Sequence, residues 1–132
     1  MGRVMKILVD THLLIWSTSD SGKLPGVARA VLENAANECF FSAASIWEIA
    51  LKHTKHPNDI PLGAEDARQM FLKAGYLELA VSARHSSFID QLPRIHLDPF
   101  DRMLVAQAQL EGMQLVTHDH VIPQYGSFVV RV

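Results

Sequence analysis

Hydrophobic and polar positions along the chain change period from block to block. KILVD (6–10) is a short apolar run closed by an aspartate, the pattern of a buried strand. THLLIWS (11–17) reads as one or two helical turns, and SDSGKLPG (19–26) is a loop by its Ser, Gly and Pro content. In PGVARAVLENAA (25–36), Val27, Val31 and Ala35 recur at helical spacing, and Pro25 suits a first turn. CFFS (39–42) is a second strand. AASIWEIALKHTK (43–55) is a helix with Ile46, Ala50 and Leu51 on one face and lysines near its end. HPNDIPLG (56–63) is a loop, and AEDARQMFLKAG (64–75) is a helix closed by glycine.

The same alternation continues. YLELAVS (76–82) is a third strand and ARHSSFIDQL (83–92) a helix. A helix from about residue 99 to 111 stops at Gly112. MQLVT (113–117) and SFVVRV (127–132) are the fourth and fifth strands. Strands alternating with helices predict an α/β domain with a mostly parallel five-stranded sheet flanked by helices. No repeat, linker or low-complexity tract interrupts the pattern, so residues 1–132 read as one domain, long enough to bury a core.

Composition narrows the function classes. With 48% hydrophobic and 20% charged residues, the chain is globular rather than disordered. A net charge of -2 lends nothing to a general nucleic-acid-coating role, but leaves room for an acidic pocket beside basic rims. The single cysteine, Cys39, lies in an apolar run and reads as a small buried hydrophobe. No stretch reaches the roughly 18 apolar residues of a membrane span. The apolar part of MGRVMKILVD is too short for a signal peptide. A cytoplasmic setting without a membrane is expected.

The chemistry sits in the carboxylates. HLDPFDRMLVAQA (96–108) puts Asp98 and Asp101 where a helix begins. Asp10 ends the first strand, Asp119 follows the fourth, and Glu48 lies in the first turns of the helix after the second. In open parallel sheets the carboxyl ends of the strands share one edge, and sites gather there. Each residue alone has a structural use: Asp98 as an N-cap with Pro99 behind it, Ser45 and Glu48 as a capping box, Asp10 and Asp119 in turns. Capping and helix-dipole gains are roughly 0.3–1 kcal/mol each. Two carboxylates about 4 Å apart repel by roughly 4 kcal/mol at an effective dielectric of 20. A converged set of Asp10, Glu48, Asp101 and Asp119 therefore calls for a cation. Arg102 can serve one of them, not all. Oxygen donors without cysteine suit Mg²⁺ or Mn²⁺. Asp98 is assigned to the free N–H groups of the helix start, and Asp101 to the metal.

The seven histidines form no tight ligand set for zinc. His53 and His56 sit near a helix end, and His118 and His120 flank Asp119. Trp16 and Trp47 lie on stretches rich in Ile and Leu, as core or interface residues rather than base-stacking platforms. A receiver-type signalling domain would also have this size and an acidic Mg²⁺ pocket. It needs paired acids after the first strand and an aspartate after the third; here Thr11 follows Asp10, and the third strand ends in Val81-Ser82.

Four stretches, ILVDTHLLIW, SAASIWEIALK, HLDPFDRMLVAQAQLEG and LVTHDHVI, together resemble the PIN-domain ribonucleases, and more narrowly the VapC-type toxins of bacterial toxin–antitoxin pairs. The likeness runs from near the first residue to near the last. It implies a compact α/β/α domain and a quartet of acids binding Mg²⁺ or Mn²⁺, matched here by Asp10, Glu48, Asp101 and Asp119. Thr117 matches a small hydroxyl residue two before the last aspartate. Thr11, Thr117 and Arg102 are candidate substrate contacts. The resemblance further implies RNA cleavage, homodimers and a small inhibitory antitoxin. Such antitoxins lay a segment along an apolar groove and aim a basic side chain at the acidic pocket. Leu13, Leu14, Ile15 and Trp16, with Ile46, Trp47, Ile49 and Leu51, supply more apolar surface than one face requires. A non-catalytic PIN-like scaffold is the alternative that the intact quartet disfavours.

Overall fold

β1 (Met5–Val9), β2 (Asn37–Ser42), β3 (Leu77–Leu79), β4 (Gln114–Thr117) and β5 (Val129–Arg131) pair in the order β3-β2-β1-β4-β5. Every neighbouring pair is parallel. The computed structural model describes residues 4–60 and 62–132. Residues 1–3, at the head of the stretch too short in its apolar part for a signal peptide, and Pro61, in the loop expected over 56–63, lie outside them. Among the described residues six α-helices join the strands: α1 (Thr11–Ser19), α2 (Gly26–Glu33), α3 (Ala43–Lys55), α4 (Ala64–Lys73), α5 (Ala83–Phe88) and α6 (Pro99–Glu111). None of them is long and apolar enough to cross a membrane.

The central strands β1 and β4 carry unbroken apolar runs, Ile7–Val9 and Leu115–Val116, because both faces of the sheet are covered there. Side chains alternate along β1. Ile7 and Val9 pack with Leu13, Leu14, Phe41, Ile49 and Phe71, whereas Leu8 packs with Leu104, Val105, Leu115 and Ile122. Two cores thus flank one sheet.

Some predicted elements are longer than the real ones. β3 has three residues rather than the seven expected, because its pairing ends at Leu79 and Ser82 already caps α5. β5 likewise keeps only Val129–Arg131. The helix expected over 83–92 gives way after Phe88 to a 3₁₀ turn, Ile89–Gln91. α2 stops at Glu33, where the Asn34 side chain accepts the Ala36 N–H and turns the chain into β2. α1 is longer than one or two turns, with nine residues. Cys39 is half-buried at the margin of the first core rather than sealed inside it.

The strand order positions the site. The chain builds β1, β2 and β3 outward on one side, then crosses back to lay β4 against the other side of β1. That reversal makes a switch point at the carboxyl ends of β1 and β4, where open α/β sheets bind ligands. Pairing of Val9 with Val116 brings Asp10 level with Thr117.

Candidate active site

Asp10 follows β1 directly and caps α1. Its Oδ1 accepts the His12 N–H at 2.8 Å, and its Oδ2 accepts the Thr117 hydroxyl at 2.5 Å. The residue is 5% exposed. Burial pushes its carboxyl above the usual carboxylate range, against the Thr117 bond and the nearby His12.

Glu48 stands in the second turn of α3. The cap of this helix is Ser42, whose Oγ accepts the Ala44 N–H at 3.0 Å. The expected capping box of Ser45 and Glu48 does not form, because the helix begins before Ser45; Ser45 instead accepts the Thr11 hydroxyl at 2.8 Å. Glu48 is free for the site and 3% exposed. Its Oε2 meets the Lys52 ammonium at 2.5 Å, while its buried Oε1 has no hydrogen-bond partner among the described residues.

α6 begins as the sequence predicts. Asp98 Oδ1 accepts the N–H groups of Phe100 and Asp101 at 2.8 and 3.0 Å, and Pro99 takes the first helical position. Asp101 is thereby left free of capping. Asp119, after β4, accepts the N–H groups of Val121 and Ile122 on Oδ1 at 2.6 and 3.2 Å. The Thr117 hydroxyl ties the two strand ends together: it donates to Asp10 and accepts the Asp119 N–H at 3.0 Å.

Asp10, Glu48, Asp98, Asp101 and Asp119 line one cleft of about 530 Å³ at the switch point, with Lys52 and Arg131 among its walls. Charge crowding shows at Asp101. Its carboxyl is pushed up to about 8, first by burial and then by the charges of Asp98, Asp10, Glu48 and Asp119. Burial acts on Asp119 in the same sense, but the Val121 and Ile122 N–H groups and His96 outweigh it and hold this carboxyl below its usual range. Burial also works against the Lys52 ammonium; the bond and charge of Glu48 keep it protonated above its ordinary range. Oxygen donors, an unpartnered buried carboxylate oxygen and a carboxyl destabilised by its neighbours all fit a hard divalent cation.

A family model for the PIN domain matches residues 7–127. The chain belongs to the PIN domain family. No curated protein matches it in sequence. Its fold is shared with VapBC2 from Rickettsia felis, solved bound to a DNA fragment from its promoter, at 14% identity and a TM-score of 0.68, covering 97% of this chain and 98% of that one. It is shared with a toxin–antitoxin complex from Klebsiella pneumoniae, at 20% identity and a TM-score of 0.65, over 94% and 95% of the two chains. VapC20 from Mycobacterium tuberculosis, a toxin that cleaves the sarcin-ricin loop, has 17% identity and a TM-score of 0.62, over 91% and 95%.

In this PIN domain the residues expected to touch substrate are turned to other uses. Thr117 is fully buried between Asp10 and Asp119, and Thr11 is buried against Ser45. Arg102 serves no carboxylate of the cleft. Its guanidinium donates to the carbonyls of Ile89, Pro93 and His96 and to the Tyr125 hydroxyl, fixing the loop before α6. Two side chains without a role expected from sequence contact the carboxylates directly. Lys52 lies one turn after Glu48, a spacing at which a Glu–Lys pair is legible. His96 places Nε2 3.3 Å from Asp101 Oδ2 and 3.4 Å from Asp119 Oδ2; no spacing rule announces it.

The apolar residues in excess divide. Leu13, Leu14 and Ile49 are core, but Trp47 is 62% exposed and packs edge-on against Phe100 in an apolar groove with Val81 and Met103. A second groove, of about 780 Å³, runs between α1 and the α3–α4 connection past Ile15, Trp16 and Ile60. It shares His12, Trp16 and Lys52 with the acidic cleft.

Proposed function

We propose that this PIN domain is a Mg²⁺- or Mn²⁺-dependent endoribonuclease that hydrolyses RNA phosphodiester bonds, and the toxin of a toxin–antitoxin pair. The observation that carries the reading is the meeting of Asp10, Glu48, Asp101 and Asp119, from four separate segments, in one cleft at the strand edge. A binding-only scaffold gains nothing from this repulsion.

Asp10, Asp101 and Asp119 would hold the principal ion. Glu48, with one oxygen on Lys52 and the other unpartnered, would bind a second ion or orient the attacking water. When bound, the ion supplies activated water near neutral pH and offsets charge growing on the phosphate oxygens. The chain supplies the rest. Thr117 holds Asp10 and the Asp119 backbone in fixed relation. The Val121 and Ile122 N–H groups keep Asp119 ionised. Lys52 and Arg131, at the cleft wall, offer cations to the RNA backbone.

The partner follows from the second groove. A segment lying along Ile15, Trp16 and Ile60 ends at the carboxylates, where an arginine from an antitoxin would offset the repulsion that otherwise calls for metal. The exposed Trp47–Phe100 surface supports a homodimer seam. Such a pair would act in the cytoplasm.

The test is cleavage of a labelled single-stranded RNA by the purified protein, with Mg²⁺ or Mn²⁺ and with EDTA. Cleavage that requires metal is expected. Equal cleavage in EDTA, or none with either metal, overturns the proposal.

A further inference from the structure

His96 lies outside the acidic quartet, yet the fold invests heavily in placing it. Its N–H donates to the Tyr125 hydroxyl at 2.9 Å, and its carbonyl accepts from Arg102. Its ring Nδ1 accepts the Asp98 N–H at 3.1 Å. That bond decides which nitrogen carries the proton. An acceptor at Nδ1 must be unprotonated, so the neutral ring has its proton on Nε2, the atom facing Asp101 and Asp119. Nε2 therefore donates. The bond to Asp119 has hydrogen-bond geometry, and Asp101 Oδ2 lies at ion-pair distance, 3.3 Å, from the same nitrogen.

Nε2 of His96 and one carboxylate oxygen each from Asp101 and Asp119 lie within 4.8 Å of one another, close enough to pass for three ligands of one ion. The ring orientation argues otherwise. A histidine ligand donates its remote N–H to an acceptor and presents the other nitrogen bare to the metal. Here the remote nitrogen faces a donor. Ligation through Nε2 would move the proton to Nδ1, directly against the Asp98 N–H.

We infer that His96 is a positioning residue, which holds Asp119 with its Nε2 proton at ion-pair distance from Asp101 and does not itself ligate the cation. This rests on the metal-dependent reading of the cleft. It gives the run His96-Leu97-Asp98-Pro99-Phe100-Asp101-Arg102 a joint logic: Asp98 caps the helix with its carboxylate and orients the ring with its N–H, Arg102 pins the His96 carbonyl, and His96 sets the spacing of two carboxylates from different elements.

The experiment measures Mn²⁺ binding without RNA, by calorimetry, for the wild type, His96→Gln and His96→Ala. It is joined by an electron spin-echo spectrum of the Mn²⁺-loaded wild type. His96→Ala should bind Mn²⁺ roughly 10–100-fold more weakly. His96→Gln, whose amide N–H reaches the same place, should recover most of that loss. The spectrum should show no nitrogen bonded to Mn²⁺. A directly coordinated histidine nitrogen overturns the inference, as does unchanged affinity in folded His96→Ala. Should His96→Ala fail to fold, the wild-type spectrum and His96→Gln decide alone. A wild type that binds no Mn²⁺ overturns the metal-dependent reading itself, whereas the other adverse outcomes leave that reading standing.

Discussion

The two halves of the cleft are built differently. Asp10 and Glu48, on the β1–α3 side, are buried, and each has an oxygen taken by a side chain of the frame, Thr117 or Lys52. Asp101 and Asp119, on the α6–β4 side, are more open, with side chains 21% and 33% exposed. The closed half is held by strands and helix starts that the fold requires anyway. The open half depends on a loop side chain, His96, and on backbone N–H groups after β4. A cleft can fix one wall rigidly and leave the other accessible, and repulsion among its carboxylates then collects on the accessible wall. Asp101 is where it collects.

The largest effect should come from the closed wall. Asp10→Asn keeps the shape and loses the charge, so cleavage should fall by at least about 100-fold, the scale of one lost charge-stabilising contact. Thermal melting in EDTA should hold or rise, because one member of the crowded set is neutralised. Wild-type turnover by the folded variant would remove Asp10 from the ligand set.

The open wall should reveal itself through pH. Folded Asp101 titrates near about 8, against 3.8 for the unperturbed side chain. Between these values the folded state retains a proton that the unfolded state has released, so stability falls as pH rises from about 4 to about 8. The slope is at most about 1.4 kcal/mol per pH unit, and less for a side chain partly reached by solvent. Saturating Mg²⁺ should flatten it. Denaturant titrations across this range, with EDTA and with Mg²⁺, measure both slopes; a flat profile in EDTA would contradict the crowding of Asp101.

A smaller effect separates two residues of one helical turn. Asp98→Ala should cost about 0.5–2 kcal/mol through the lost cap and affect turnover far less than Asp101→Ala, which should abolish cleavage with little loss of stability. Paired melting curves and cleavage rates would expose an exchange of roles. Smallest of all, at the far end of α6, Gly112 ends the helix at φ 67°. Gly112→Ala should cost about 1 kcal/mol and leave cleavage unchanged; a loss of activity there would mean that the site feels the whole helix rather than its first turn.

The sheet and both walls were legible because local patterns carry them. Apolar runs ending in Asp10 and Thr117 announce strands buried on both faces, and Asp98-Pro99 announces the start of α6. Edge strands were overestimated, since YLELAVS has the composition of a strand while its pairing stops at Leu79. The capping box at Ser45 was plausible by spacing and lost to Ser42, which stands at the strand end. His96 was illegible for a deeper reason. Its part depends on a ring orientation set by the Asp98 N–H and on Asp119, 23 residues later, which sequence spacing does not encode. Arg102 misled in the opposite direction: its charge suggested the carboxylates, but its forked donors match the three carbonyls of the loop.

The Thr117–Asp10 bond joins residues 107 positions apart. β1 and its neighbour β4 lie far apart in the chain, and the last carboxylate follows β4. Until β4 pairs with β1, Asp10 lacks the hydroxyl that orients it, and Asp119 stands apart from the other carboxylates. The carboxylate set is therefore completed by a late, long-range pairing of the sheet rather than by any local segment.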